Sequence, residues 1–272
     1  MVDVAAVLVD FAAESGVLDA LVARLPDGAW SRPTPAPGWS IAHQIAHLAW
    51  TDAVVIDAAA AAGGDTAAFA ALGSAVQSGA ITIDAAAAAL AALPPAELLE
   101  RWRDGRRRVA ASLRAVSPGA RLPWFGPPMS PASMATARIM ETWAHGQDVA
   151  DALGVVREPT DRLRHIAHLA VRTRNFAFRL HRLAPPEEEF RVELAGPAGD
   201  IWAWGPEDAA ERVTGTAEDF ALLATRRRHR DDLALAATGP AAEKWLDIVQ
   251  AFAGPPGEGR QPFSAGETGT TA

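Results

Sequence analysis

The sequence predicts a mainly α protein with a small α+β domain in its C-terminal part. Three observations carry that fold class. Up to about residue 183 apolar residues recur at helical spacing, and much of the apolar content is alanine, which favours helix over strand. The helical stretches have legible starts and stops, such as Ser40, Ser130-Pro131 and Gly154. After Pro186 the pattern turns to period two, the signature of a half-buried strand.

In chain order, Val4, Val7, Leu8, Phe11, Leu18, Leu21 and Val22 predict a helix over 3–24, ended by Pro26-Asp27-Gly28. The proline-rich run 31–38 cannot continue it. Ser40 caps a second helix to about Ala62, which Gly63-Gly64-Asp65 breaks. Residues 66–92 read as short amphipathic helices with a loop between them. Pro94-Pro95 open a long helix to about Val116, with Leu98, Leu99, Trp102, Val109 and Leu113 on its apolar side. The proline- and glycine-bearing segment 117–130 carries no regular pattern. Ser130-Pro131 start a helix to Leu153, stopped by Gly154, and a further helix is expected from Asp161 to Leu183. Strands follow at 189–194 and 201–204 around the turn 196–200, then a helix near 217–229, a strand at 232–237 and a helix at 240–253. The expected domains are a helical bundle (1–155), a linker helix with a small α/β domain (156–255) and a flexible tail (256–272).

Composition bounds the function. The length, 272 residues, suits two modest domains or one large one. The net charge is -8, with no basic stretch long enough to track a phosphate backbone, so nucleic acid is not an expected partner. The one basic run, Arg226-Arg227-Arg228-His229-Arg230, is followed at once by Asp231 and Asp232 and reads first as a solvated helix end. With no cysteine, thiolate ligands and a cysteine nucleophile are excluded, and any thiol must come from a cosubstrate. The N-terminus carries no basic n-region or cleavage site and no stretch reads as a membrane span. The expectation is therefore a cytoplasmic monomer or homodimer acting on a small molecule, with no membrane partner.

The strongest chemical signal joins two helices. Glu141 and His145 are four apart and share a helix face. His47, on the helix after Ser40, would complete a set of two histidines and one carboxylate. Such a set occupies one side of a metal and leaves the other side for water or substrate, and bundle cores are where such sites are built. A helical histidine is ordinarily a core or surface residue, and Glu-x-x-x-His pairs also arise by chance. His43 and His47 form a competing His-x-x-x-His pair, but His43 sits in the first turn, where a capping or supporting hydrogen bond suffices. Trp39 and Trp143 flank the candidate ligands, and Gln147 and Asp148 follow them closely. His165 and His168 precede an arginine-rich face (Arg172, Arg174, Arg179) that reads equally as surface or as anion site. No phosphate loop or nucleophile elbow is present.

Taken together, Trp30, Pro33-Thr34-Pro35-Ala36-Pro37-Gly38-Trp39-Ser40, His47-Leu48 and Glu141-x-x-x-His145-x-x-Asp148 resemble the DinB-like metalloenzymes, in particular the mycothiol-dependent maleylpyruvate isomerase group. Further along, Arg191-Val192-Glu193-Leu194, Gly196-Pro197, Trp202, Trp204-Gly205-Pro206-Glu207-Asp208, Val213, Gly215, Leu222-Leu223, Trp245 and Gln250–Gly254 are similar to that group's small domain. The resemblance spans most of residues 1–255. It implies a four-helix bundle holding a divalent metal, with Zn²⁺ the first expectation, on His47, Glu141 and His145. It also implies mycothiol as cosubstrate and an arginine of the small domain, Arg226 here, that binds or polarises substrate. Two positions depart from the group. His43 stands where an acidic or other polar residue is usual, and Thr225-Arg226 stands where Gly-Arg is usual. The implied activity is thiol addition to a small electron-poor, acidic substrate, ending in isomerisation or S-transfer. A thiol-independent metalloenzyme of a natural-product pathway and a non-catalytic metal-binding protein are the alternatives.

Overall fold

The computed structural model describes residues 3–117, 119–255 and 257–263. Of the expected tail, residue 256 and residues 264–272 lie outside the described residues. The chain forms two compact units, Met1–Arg157 and Glu158–Ala272.

The first unit is helical: α1 (Val4–Val22), α2 (Ile41–Ala62), α3 (Ala67–Gln77), α4 (Ile83–Ala91), α5 (Pro95–Ala115) and α6 (Pro131–Leu153). Four long helices make the bundle, α1 packing on α6, α2 on α5, and α2 also on α6. The short α3 and α4 lie against α2. Side chains cap the helix starts, among them the expected Ser40 and Ser130. Asp3 accepts from the Ala5 amide, Thr82 from Ala85 and Ser130 from Ser133, while Ser40 and His43 form a reciprocal cap on α2. Gly154 ends α6 in the left-handed region at φ 69°. Between α1 and α2 a 3-10 turn, Asp27–Ser31, buries Trp30, and a single bridge pairs Pro33 with Ser40.

The bundle core comes in two apolar clusters. Leu18, Ile41, Ile45, Leu48, Leu98, Trp102 and Val149 belong to one. Leu8, Phe11, Val55, Val109, Leu113, Met134 and Ile139 belong to the other. On three of the four helices, α1, α2 and α6, buried polar residues fall between the two. They are Glu14 and Ser15 on α1, Thr51 and Asp52 on α2, and Thr142 on α6; α5 contributes Gly105, whose missing Cβ leaves room for Asp52. Burying polar groups is costly unless they are paired, and the two carboxylates of this layer are paired, Asp52 with Arg138 and Glu14 with Arg157. By length and composition α2 alone among the described helices could cross a membrane, but most of its apolar window is buried, as in a core helix.

The second unit holds α7 (Leu163–Arg172), α8 (Arg174–Leu180), β1 (Phe190–Ala195), β2 (Ile201–Trp204), β3 (Glu211–Thr216), α9 (Ala217–Ala224), β4 (Ala236–Thr238) and α10 (Pro240–Ile248). The sheet order is β2-β1-β3-β4. β1 pairs antiparallel with β2 (Leu194 opposite Trp202) and parallel with β3 (Val192 opposite Val213), and β3 pairs antiparallel with β4.

Several expectations need correction here. The single helix over 161–183 is two, broken at Thr173, whose hydroxyl lies 2.9 Å from the carbonyls of both Leu169 and Gln250. The helix near 217–229 stops at Ala224, because the chain turns left-handed at Arg226 (φ 61°). The strand at 232–237 is confined to Ala236–Thr238 after a 3-10 turn, and the last helix ends at Ile248. The central strand β3 was not expected at all.

Candidate metal centre

Two helices and the loop before them build the site. α2 carries His47 on its inward face, and α6 presents Glu141 and His145 one turn apart. His47 Nε2 lies 3.2 Å and His145 Nε2 3.3 Å from the same oxygen, Glu141 Oε2. One donor atom from each of the three side chains lies within 4.8 Å of the others. The two imidazole rings are 4.5 Å apart, centroid to centroid. Metal bonds of about 2.0–2.2 Å to nitrogen and carboxylate oxygen require donors about 3.0–3.5 Å apart. The two measured separations meet that requirement, so these residues fit a divalent ion. His47 is buried, whereas Glu141 keeps 25% of its side chain exposed, which leaves one side of the cluster accessible.

Local electrostatics favour an ionised carboxylate. Burial works to raise the Glu141 pKa, but hydrogen bonds and charge from His145 and His47 outweigh it and hold the carboxyl well below its ordinary range. The outer nitrogens differ. His145 Nδ1 meets Gln44 Oε1 at 2.5 Å, and Gln44 Nε2 donates to Thr34 Oγ1 at 2.9 Å. His47 Nδ1 is buried with no hydrogen-bond partner. Trp39 walls the cluster. Its ring stacks on His145 (6.0 Å, 18°), stands 5.5 Å from His47, and is held by its Nε1 donating to Asp84 Oδ1 on α4.

Residues 11–150 match the family model described as the mycothiol maleylpyruvate isomerase N-terminal domain. The chain belongs to this family. It is 59% identical over 261 residues to an uncharacterized protein in each of two strains of Mycobacterium tuberculosis, covering 96% of this chain and all of each relative. Among solved structures, it is similar to the mycothiol-dependent maleylpyruvate isomerase and to a histidine-to-alanine variant of that enzyme. The TM-scores are 0.58 and 0.59, at 16% identity, over 86% of this chain and 93% of theirs. That likeness is one of fold. Residues 186–238, which hold the four strands, match a second model described as wyosine base formation.

Within the family fold, the other singled-out residues fall elsewhere. His43 caps α2, its Nδ1 accepting from the Ser40 amide (3.3 Å) beside Ser40 Oγ (2.8 Å). Gln147 donates to Asp151 (2.8 Å), one turn on. Trp143 stacks under the Arg157 guanidinium, which also binds buried Glu14. The face with His165 and His168 meets sheet tryptophans: Trp204 Nε1 donates to His168 Nδ1, and Arg164 lies over Trp202. Arg226 belongs to the second unit, in the turn that closes α9. Its backbone N–H bonds to Leu223 O and its Nε is buried without a partner. Burial lowers the pKa of its guanidinium.

Sequence reasoning missed Gln44, Thr34 and the ion pair Asp52–Arg138, which is 3.1 Å long and almost wholly buried. Gln44 could have been suspected as an amide three residues before His47, on the same side of the helix. Its partner lies 101 residues away and left no local signal.

Proposed function

We propose that this protein is a metal-dependent enzyme of the mycothiol-dependent isomerase type, with His47, Glu141 and His145 as ligands of one divalent ion. The observation that carries the reading is the convergence of those three donor atoms, from α2 and α6, in a half-open cluster. Zn²⁺ is the first choice for two imidazoles and a carboxylate, and Fe²⁺, Ni²⁺ or Mn²⁺ also suit them. When bound there, the ion would supply Lewis acidity that brings the pKa of a thiol or a water toward neutrality.

The chain's own residues have three tasks. His47, Glu141 and His145 hold the ion from one side. Trp39 shields that side with its ring. Arg226, a desolvated guanidinium, is proposed as the group that binds an acidic substituent of the substrate. The cosubstrate is a low-molecular-weight thiol, with mycothiol the candidate, since the chain has no cysteine. Its thiolate adds to one carbon of an electron-poor double bond, and the π pair moves onto the conjugated carbonyl. The remaining C–C single bond rotates. Return of the electron pair expels the thiolate and leaves the other geometric isomer, so no atom is gained or lost. In the S-transfer variant a proton is delivered to carbon and the thioether is the product.

The test is isomerisation of maleylpyruvate followed by absorbance, with metal-reconstituted protein in the presence and absence of mycothiol. Turnover only when both are present is the expected result. Turnover independent of the thiol would move the assignment to a thiol-free metalloenzyme.

A further inference from the structure

The direction of a hydrogen-bond chain can be fixed from its end, and one such chain ends at the candidate ligand His145. It starts at the backbone carbonyl of Trp39, which can only accept. Thr34 Oγ1 lies 2.8 Å from that carbonyl and so spends its single proton there. The hydroxyl must therefore receive its next hydrogen bond, and the atom it receives it from, 2.9 Å away, is the amide nitrogen of Gln44. With the nitrogen turned to Thr34, the Gln44 oxygen faces His145 Nδ1. An amide oxygen only accepts, so Nδ1 must carry a proton. Nε2, which points at Glu141 Oε2, is then the nitrogen that gives up any proton and offers its lone pair.

We propose that Thr34 and Gln44 are positioning residues that set the protonation of His145, so that its Nε2 is committed to metal binding. The inference rests on the metal reading above. Ligating histidines characteristically pass their second N–H to an acceptor that fixes tautomer and ring orientation. Here that acceptor is anchored not by a carboxylate but by a neutral relay ending in the main chain of the Trp39 turn. The same turn holds Trp39 against the His145 ring. Gln44 is fully buried and Thr34 nearly so, which keeps water from competing for either bond. Without the relay, a neutral His145 places its proton on Nε2, toward the Glu141 carboxylate, and binding must first displace it.

The experiment is long-range 1H–15N NMR of the imidazoles, run on metal-free protein and joined to Zn²⁺ competition titrations. It compares the parent with Gln44→Leu, Gln44→Glu and Thr34→Val. In the parent, His145 Nδ1 is expected protonated. In Gln44→Leu and Thr34→Val its signal should move to the unprotonated range. Zn²⁺ affinity should fall about 10–100-fold. Gln44→Glu, which still accepts from Nδ1, should restore both readouts, an outcome that a general packing defect does not give. An unprotonated Nδ1 in the parent, or variants with parental Nδ1 signal and affinity, would overturn the relay. A protonated Nδ1 that responds to the variants in a protein that binds no Zn²⁺ would uphold the relay and sink the metal reading instead.

Discussion

Three side chains held from two helices behave differently under substitution from a solvated cluster. Removing one imidazole takes away one of the three proposed donors and leaves the Glu141 charge with one of its two imidazole partners. His47→Ala and His145→Ala should each lose at least an order of magnitude in metal affinity, since even outer partners are worth about 10–100-fold. Elemental analysis after dialysis reads this directly, and full occupancy in both variants would dismiss the assignment. His43→Ala should keep its metal and lose about 1 kcal/mol or less of stability, because its observed role is to close the start of α2. At this scale the closeness of Glu141 and His145 was legible because i,i+4 spacing fixes a shared face. The third residue came from the resemblance and the helix phase together. Gln44 and Thr34 were not legible. Their roles depend on which atom of an amide faces which neighbour, and that is decided by a turn and a helix far apart in sequence.

Between elements, the buried pair Asp52–Arg138 ties α2 to α6 across the polar layer. One atom of each, Asp52 Oδ2 and Arg138 Nη2, has no partner. Burial pushes the Asp52 carboxyl up to about 6, against the charges of Arg138, Arg106 and His47. The sign follows from linkage. Between about pH 4 and 6 the unfolded chain has already released this proton while the folded chain still holds it, so the group's contribution to stability falls as pH rises through that window. The loss is roughly 3 kcal/mol once pH exceeds the folded value. Asp52→Asn should flatten that part of the profile, read as the difference in unfolding free energy between variant and parent from pH 4 to 6; parallel profiles would refute it. Asp52→Ala should cost about 3–5 kcal/mol by stranding the Arg138 charge, whereas Asp52→Leu with Arg138→Met should cost far less. In the second unit, Gly205 sits at φ 78°, and a Cβ there would lie 1.9 Å from Phe190 O, where β1 begins. Gly205→Ala should therefore destabilise by about 1–3 kcal/mol or more, seen as a lower urea midpoint.

These elements also show where pattern reading reaches its limit. Capped helices such as α2 and α6 were placed to within a residue or two, because a cap is a local chemical event. The strand β3 was missed. It is six residues long, contains Gly215, and follows a stretch whose composition suits a turn or helix. What makes it a strand is pairing with β1 and β4 and the burial of Glu211, whose carboxylate caps α10 at the Ala242 amide, 31 residues on. The break at Thr173 was equally hidden, since the apolar period continues across it and the deciding carbonyl belongs to Gln250.

For the whole molecule, the decisive question is whether the open side of the cluster takes a thiol. A chain without cysteine can present a thiol only by importing it, and a thiol that binds a divalent ion must lose its proton. Mycothiol binding to reconstituted protein should therefore release a proton. Calorimetry in two buffers of different ionisation enthalpy measures that release as a difference in apparent heat. Metal-stripped protein should show neither the binding nor the buffer-dependent heat. Arg226→Ala should bind metal and thiol as the parent does and lose turnover, because its proposed partner is the acidic group of the second substrate rather than the ion. Loss of metal from Arg226→Ala would remove the arginine from that role. Equal mycothiol binding with and without metal would leave the bundle as a metal site and take the thiol chemistry away from it.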